Sequence, residues 1–187
     1  MTPLSPWQTF YEILGSAAGG LTGLQFVAMA LIADLSITPG EEQTGLEDTS
    51  AIFSTPTIVH FTCVLVLAAS MVMPWPNITA PAIVGACIGL FGIFYMAIIS
   101  RHLGRQKAYQ PVCADWLHRA IFPAGSYCAI FVTSLVAATA NTRIQPSHCL
   151  FGIAIAALLL LAMGIQNAWD NVIYIVAMKR REAAQKA

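Results

Sequence analysis

LGSAAGGLTGLQFVAMALIA, Leu14 to Ala33, is a run of twenty residues without a formal charge. At the helical rise of about 1.5 Å per residue it spans roughly 30 Å, the thickness of one hydrocarbon core. Within it Gly15, Gly19 and Gly23 recur every fourth residue and so stack on one helix face. Ser16 and Gly20 widen that face, and Ala17 and Ala18 extend it. Lipid tails are as apolar as leucine, so hydrophobicity does not draw membrane helices together. Small residues do, because they let backbones approach into close van der Waals contact. The pattern reads as a glycine zipper and predicts a first membrane helix built to pack against another helix.

Composition agrees. Of 187 residues, 57% are hydrophobic and only 10% charged, whereas a soluble domain carries about a quarter charged. The mean hydropathy is +0.69. Net charge is zero and no basic block is long enough to follow a phosphate backbone, which argues against nucleic acid as a partner and leaves membrane lipids as the surroundings. Met1 to Tyr11 has no Lys or Arg, and Glu12 sits where a signal peptide would be positive. The first helix is therefore expected to be retained rather than cleaved. The five cysteines show no CxxC spacing, and Cys63, Cys87 and Cys128 fall inside apolar runs. They read as small buried hydrophobes, and no disulfide framework is expected.

The pattern predicts an all-α fold, a single integral membrane domain of five helices at about 10–35, 55–73, 80–100, 115–138 and 149–178. Trp7, Phe10 and Tyr11 form an aromatic belt ahead of the first. A polar, acidic stretch follows from Ser36 to Ser50, with a turn at Pro39-Gly40. Pro56 suits the first turn of the second helix. Pro74-Trp75-Pro76-Asn77 reads as a rigid turn, with Thr79 as the N-cap of the third helix. In that helix Gly85 and Gly89, with Gly92 beyond, make a second small-residue face able to receive the first. Asp115 favours the start of the fourth helix, and Pro123 and Gly125 predict a kink in it.

With five helices, Arg101, Arg105, Lys107, Arg119, Lys179, Arg180, Arg181 and Lys186 share one side, against Arg143 alone on the other. The positive-inside rule then places the C-terminus in the cytoplasm and the N-terminus outside.

Polar residues at membrane depth are costly and mark where function resides. Asn167, Asp170, Asn171 and Tyr174 are spaced i, i+3, i+4, i+7 and form one stripe on the fifth helix. The topology brings Asp34, His60, Asp115, His118 and Arg119 to similar depth, so that Asp170 can pair with Arg119 or His60. One reading is a polar vestibule or proton-responsive gate. The other, preferred, is an interfacial anchor with Trp169 in the membrane belt. Glu12 and Gln25 on the first helix would line a pore in a ring of subunits, or Gln25 simply makes one interhelical hydrogen bond. His102, Cys113, Asp115 and His118 match no closed zinc pattern, and His60 with His118 is a bare pair rather than a haem motif. Neither a cofactor nor a metal is expected. No nucleophile elbow, HExxH or paired acid–base signature is present, so no enzyme is expected.

Two stretches, GSAAGGLTGLQFVAMAL in the first helix and GIQNAWDNVIYI in the fifth, resemble a group of small multi-pass bacterial membrane proteins, most without an assigned function. The resemblance implies a compact bundle in the bacterial cytoplasmic (inner) membrane and transfers no catalytic residue. The expected function is a non-enzymatic membrane protein that assembles through its small-residue faces, as a homo-oligomer or as an accessory or scaffold subunit of a larger membrane complex. The alternative is an ion or proton channel or transporter with a path lined by Glu12, Gln25, His60 and Asp170.

Overall fold

The computed structural model describes residues 4–35, 46–105, 116–139 and 146–186. After a 3-10 turn at Ser5–Trp7 come α1 (Gln8–Leu35), α2 (Leu46–Val72) and α3 (Thr79–Arg105). A π turn, Leu117–Ile121, leads into α4 (Phe122–Ala138), and α5 runs from Pro146 to Lys186. There is no strand among the described residues. Each helix carries an apolar window long enough to cross a bilayer: Ser5–Ala30, Thr55–Val72, Thr79–Arg101, Leu117–Ala138 and Ser147–Ile173. The chain is an all-α, five-helix transmembrane bundle. Pro39-Gly40, Cys113, Asp115 and Arg143 lie outside the described residues.

Neighbouring helices run antiparallel. α3 lies along α4, α4 along α5, and α5 along α2; α1 is laid on the outside of α2 and meets α5 only lightly. The burial follows: half of the spanning windows of α2 and α5 is buried, but only 17% of that of α1. Leu67, Val64, Phe61, Ile130, Ile153 and Leu160 form the centre of the core.

Small residues set how close the helices come. A Cβ added to Gly15 would stand 3.2 Å from the Cβ of Ala68, and one on Gly19 3.7 Å from Leu65 Cδ1. The first part of the α1 ladder is thus used inside the chain, against α2. The third-helix face does not receive α1, contrary to the sequence expectation. It receives α4: a Cβ on Gly89 would lie 2.6 Å from the backbone nitrogen of Phe131, and one on Gly85 would meet Ser134. Gly92 lies against the ring of Tyr127, and Gly164 of α5 against Phe61. Any small-residue face accepts any close backbone, so spacing alone does not name the partner.

The helix ends depart from the sequence reading in informative ways. α2 begins at Leu46, inside the stretch read as an acidic loop, and Pro56 is interior to the helix rather than in its first turn. α5 continues to Lys186, beyond the expected end near Met178. Hydropathy marks where a helix leaves the bilayer, not where it stops; Glu47 and Asp48 suit a helix start, and Ala183 and Ala184 sustain one. Thr79 is the first helical residue, not the cap. The Asn77 side chain caps α3 instead, its Oδ1 accepting from the Thr79 backbone N–H at 3.1 Å. In the same turn the Trp75 indole N–H donates to the Ser70 carbonyl at 2.7 Å, satisfying an acceptor in the last turn of α2. Ahead of Pro123 the chain widens into the π turn, where the Phe122 N–H bonds to the Leu117 carbonyl. A proline lacks the donor the helix needs, and a wider turn next to it re-routes the bonds.

The aromatic belt of the first helix is not a lipid-facing ring. Tyr11 is buried, and Trp7 packs edge-on to Phe151 of α5 with centroids 4.6 Å apart. Trp7 and Tyr11 also meet Phe10, which ties the beginning of α1 to the beginning of α5.

Candidate functional site

Two places stand out: a polar cluster buried among α2, α3, α4 and α5, and the outer face of α1.

α2 presents Thr57, His60 and Cys63 at three-residue steps, and all three are buried. α4 brings Tyr127 against them. His60 Nδ1 and the Tyr127 hydroxyl are 2.9 Å apart, and both residues have zero exposure. Depending on the histidine tautomer, the phenol donates to Nδ1 or the ring N–H donates to the phenol oxygen. Tyr95 of α3, half-buried, packs against the same core. Gly92 makes the approach of Tyr127 possible, because the Tyr127 ring occupies the space where a side chain on residue 92 would stand. Phe91, one turn away, stacks on Tyr95 at 6.1 Å and holds its ring. The cluster lies in the half of the bundle nearer the helix ends at Leu35, Leu46, Arg105 and Lys186, here called the basic end.

Thr57 Oγ1, His60 Nε2 and Tyr95 OH, and on α5 Asn167 Oδ1, are buried with no hydrogen-bond partner among the described residues. Elsewhere Tyr11 OH and Ser134 Oγ are in the same condition. An unpaired polar atom in a water-free interior costs about 1–3 kcal/mol.

The stripe on α5 divides by depth. Asn167 and Asn171 are buried, whereas Trp169 is exposed. Asp170 is half-buried, and its Oδ1 accepts from Gln166 Nε2 at 3.3 Å, one turn back on the same helix. The Asp170–His60 pair that the topology permits is not formed, since His60 turns to Tyr127 on one side and leaves its other nitrogen unpartnered. His118 and Arg119 sit on the π turn, both half-buried, with the His118 ring 5.8 Å from that of Phe122.

On α1, Gln25 is buried and Glu12 exposed. Thirteen residues apart, they stand about 220° around the helix from each other, on nearly opposite faces. Gln25 and His60 are buried in the bundle, and Glu12 lies on its surface.

The outer face of α1 is different. Ser16, Ala17, Gly20 and Gly23 are exposed, flanked by Leu24 and Val27. A Cβ on Gly20 or on Gly23 would meet nothing within 4 Å. The space beside Gly85, Gly89 and Gly92 of α3 and beside Gly164 is, by contrast, filled by a neighbour; Gly125, near Pro123, is open like Gly20 and Gly23.

No family model, curated protein or solved structure matches the chain. Its function has to be read from these two places.

Sequence reasoning passed over Tyr127, Tyr95 and Thr57, and took Cys63 only as a small hydrophobe. A tyrosine inside an apolar run scores as an aromatic filler. The available signal was local: Ser126-Tyr127 interrupts the apolar part of the fourth run, and Thr57 precedes His60 by one turn.

Proposed function

We propose that the chain is a non-enzymatic membrane subunit that assembles in the plane of the bilayer through the outer face of α1. Assembly is as a homo-oligomer or as an accessory or scaffold subunit of a larger membrane complex. The observation that carries this reading is that Gly20 and Gly23 stay uncovered while Gly15 and Gly19 on the same helix are packed against α2. Small residues in a lipid-facing position give up packing that a larger side chain would make with lipid, and the gain returns when another backbone comes close. The setting that fits the resemblance and the basic-residue asymmetry is the bacterial cytoplasmic membrane, with the C-terminus inside.

The test is native mass spectrometry on protein extracted gently from its own membrane, comparing wild type with Gly20→Leu and Gly23→Leu. The expected result is a defined assembly for the wild type and the single chain for the variants, with helical content unchanged. A wild-type protein that is a single chain, or an assembly that survives both substitutions, overturns the reading.

A further inference from the structure

We propose that the basic half of the bundle contains a buried water site, set among Thr57 and His60 of α2, Tyr127 of α4 and Asn167 of α5. The registers bring these groups together. Phe61 of α2 packs on Gly164 of α5, and the two helices run antiparallel. Counting one turn towards the basic end from that contact takes α2 to Thr57 and α5 to Asn167, at the same level of facing helices. His60 adjoins Phe61 on α2 and is fixed by the 2.9 Å bond to Tyr127.

Thr57 and His60 have zero exposure and Asn167 is 5% exposed, yet Thr57 Oγ1, His60 Nε2 and Asn167 Oδ1 all lack a partner among the described residues. The chemistry of the set selects the occupant. A hydroxyl both donates and accepts, an imidazole nitrogen does one or the other, and an amide oxygen accepts. That mixture suits a small neutral molecule with donors and acceptors of its own, which water is, and gives an ion no matched charge. Asp170, the nearest carboxylate on α5 in sequence, bonds to Gln166 instead. Buried water typically makes about three bonds to such otherwise unsatisfied groups. With water in place, Tyr127, His60, Thr57 and Asn167 form one hydrogen-bonded network across three helices, which fixes their mutual register.

Two measurements on the full-length protein in nanodiscs test this. The first is magnetisation transfer from water to the His60 ring proton in histidine-15N protein, the signal being assigned by its loss in His60→Asn. Transfer is expected; a ring proton silent to water overturns the proposal. The second is thermal unfolding of Thr57→Val, which keeps the shape and removes the hydroxyl, with Thr57→Ser as the control that keeps it. A hydroxyl bonded to water stabilises, so the midpoint of Thr57→Val is expected to fall by about 2–4 °C, with Thr57→Ser near wild type. A dry, unpaired hydroxyl is better removed, so an equal or higher midpoint in Thr57→Val overturns the proposal as well.

Discussion

Gly89 and Gly23 have the same side chain and sit in equally apolar runs, yet substitution separates them. At Gly89 a methyl group would stand 2.6 Å from the Phe131 backbone nitrogen, and backbone cannot step aside as a side-chain tip can. Gly89→Ala is expected to force α3 and α4 apart and to cost about 1–3 kcal/mol, the usual range for overpacking. Gly23→Ala, with nothing within 4 Å, is expected to leave the stability of the single chain unchanged. Unfolding midpoints of the two variants in one detergent check this; equal effects would disprove the packing assignment. Tyr127→Phe removes the one hydrogen-bond partner that His60 has among the described residues. Both ring nitrogens would then lack a protein partner, and a loss of about 1–3 kcal/mol is expected. The same measurement applies, and a neutral effect would show that the pair contributes no stability.

At the scale of the helix, proline and the turns decide the outcome. Pro56 lies eleven positions into α2 and supplies no N–H to the turn before it. In a helix interior that loss and the ring clash cost about 3 kcal/mol. Pro56→Ala is expected to recover part of this and to raise the unfolding midpoint; a lower midpoint would mean that neighbouring groups depend on the distortion. Between α2 and α3 the Trp75 indole and the Asn77 amide close two helix ends within a few residues. Asn77→Ala is expected to weaken the start of α3 by about 1 kcal/mol, seen as faster amide exchange at Thr79 than in wild type. The turn itself was legible from Pro74 and Pro76. Which residue capped α3 was not, because Asn77 and Thr79 are both good caps and only the backbone path chooses between them.

For the whole molecule, the bundle is asymmetric. α2 and α5 are held on several sides, while α1 is held on one, by α2 and at its beginning by the Trp7–Phe151 contact. Orientation is a property of this scale too. With Lys179, Arg180, Arg181 and Lys186 near the C-terminus, a cysteine placed by Lys186→Cys is expected to react with an impermeant maleimide only after the cytoplasmic face is opened. Labelling of intact cells would reverse the topology. The five helices and their order through the bilayer were legible because apolar length is a local property of the chain. The candidate site was less so. His60, Asn167 and Asn171 announced themselves as polar residues in apolar runs, but Tyr127, Tyr95 and Thr57 became part of a site only through contacts between helices far apart in sequence.

By itself the sequence determined that this chain is a five-helix membrane protein with small-residue faces on its first and third helices, because hydropathy and spacing need no knowledge of neighbours. Tertiary structure alone decided that α4 rather than α1 fills the α3 face, that α1 covers α2 with one side and leaves Gly20 and Gly23 open, and that His60 meets Tyr127 rather than Asp170. The reason is physical. A glycine face or a buried histidine specifies what kind of partner it needs, and several segments of this chain satisfy each need. Only packing all five helices together chooses among them.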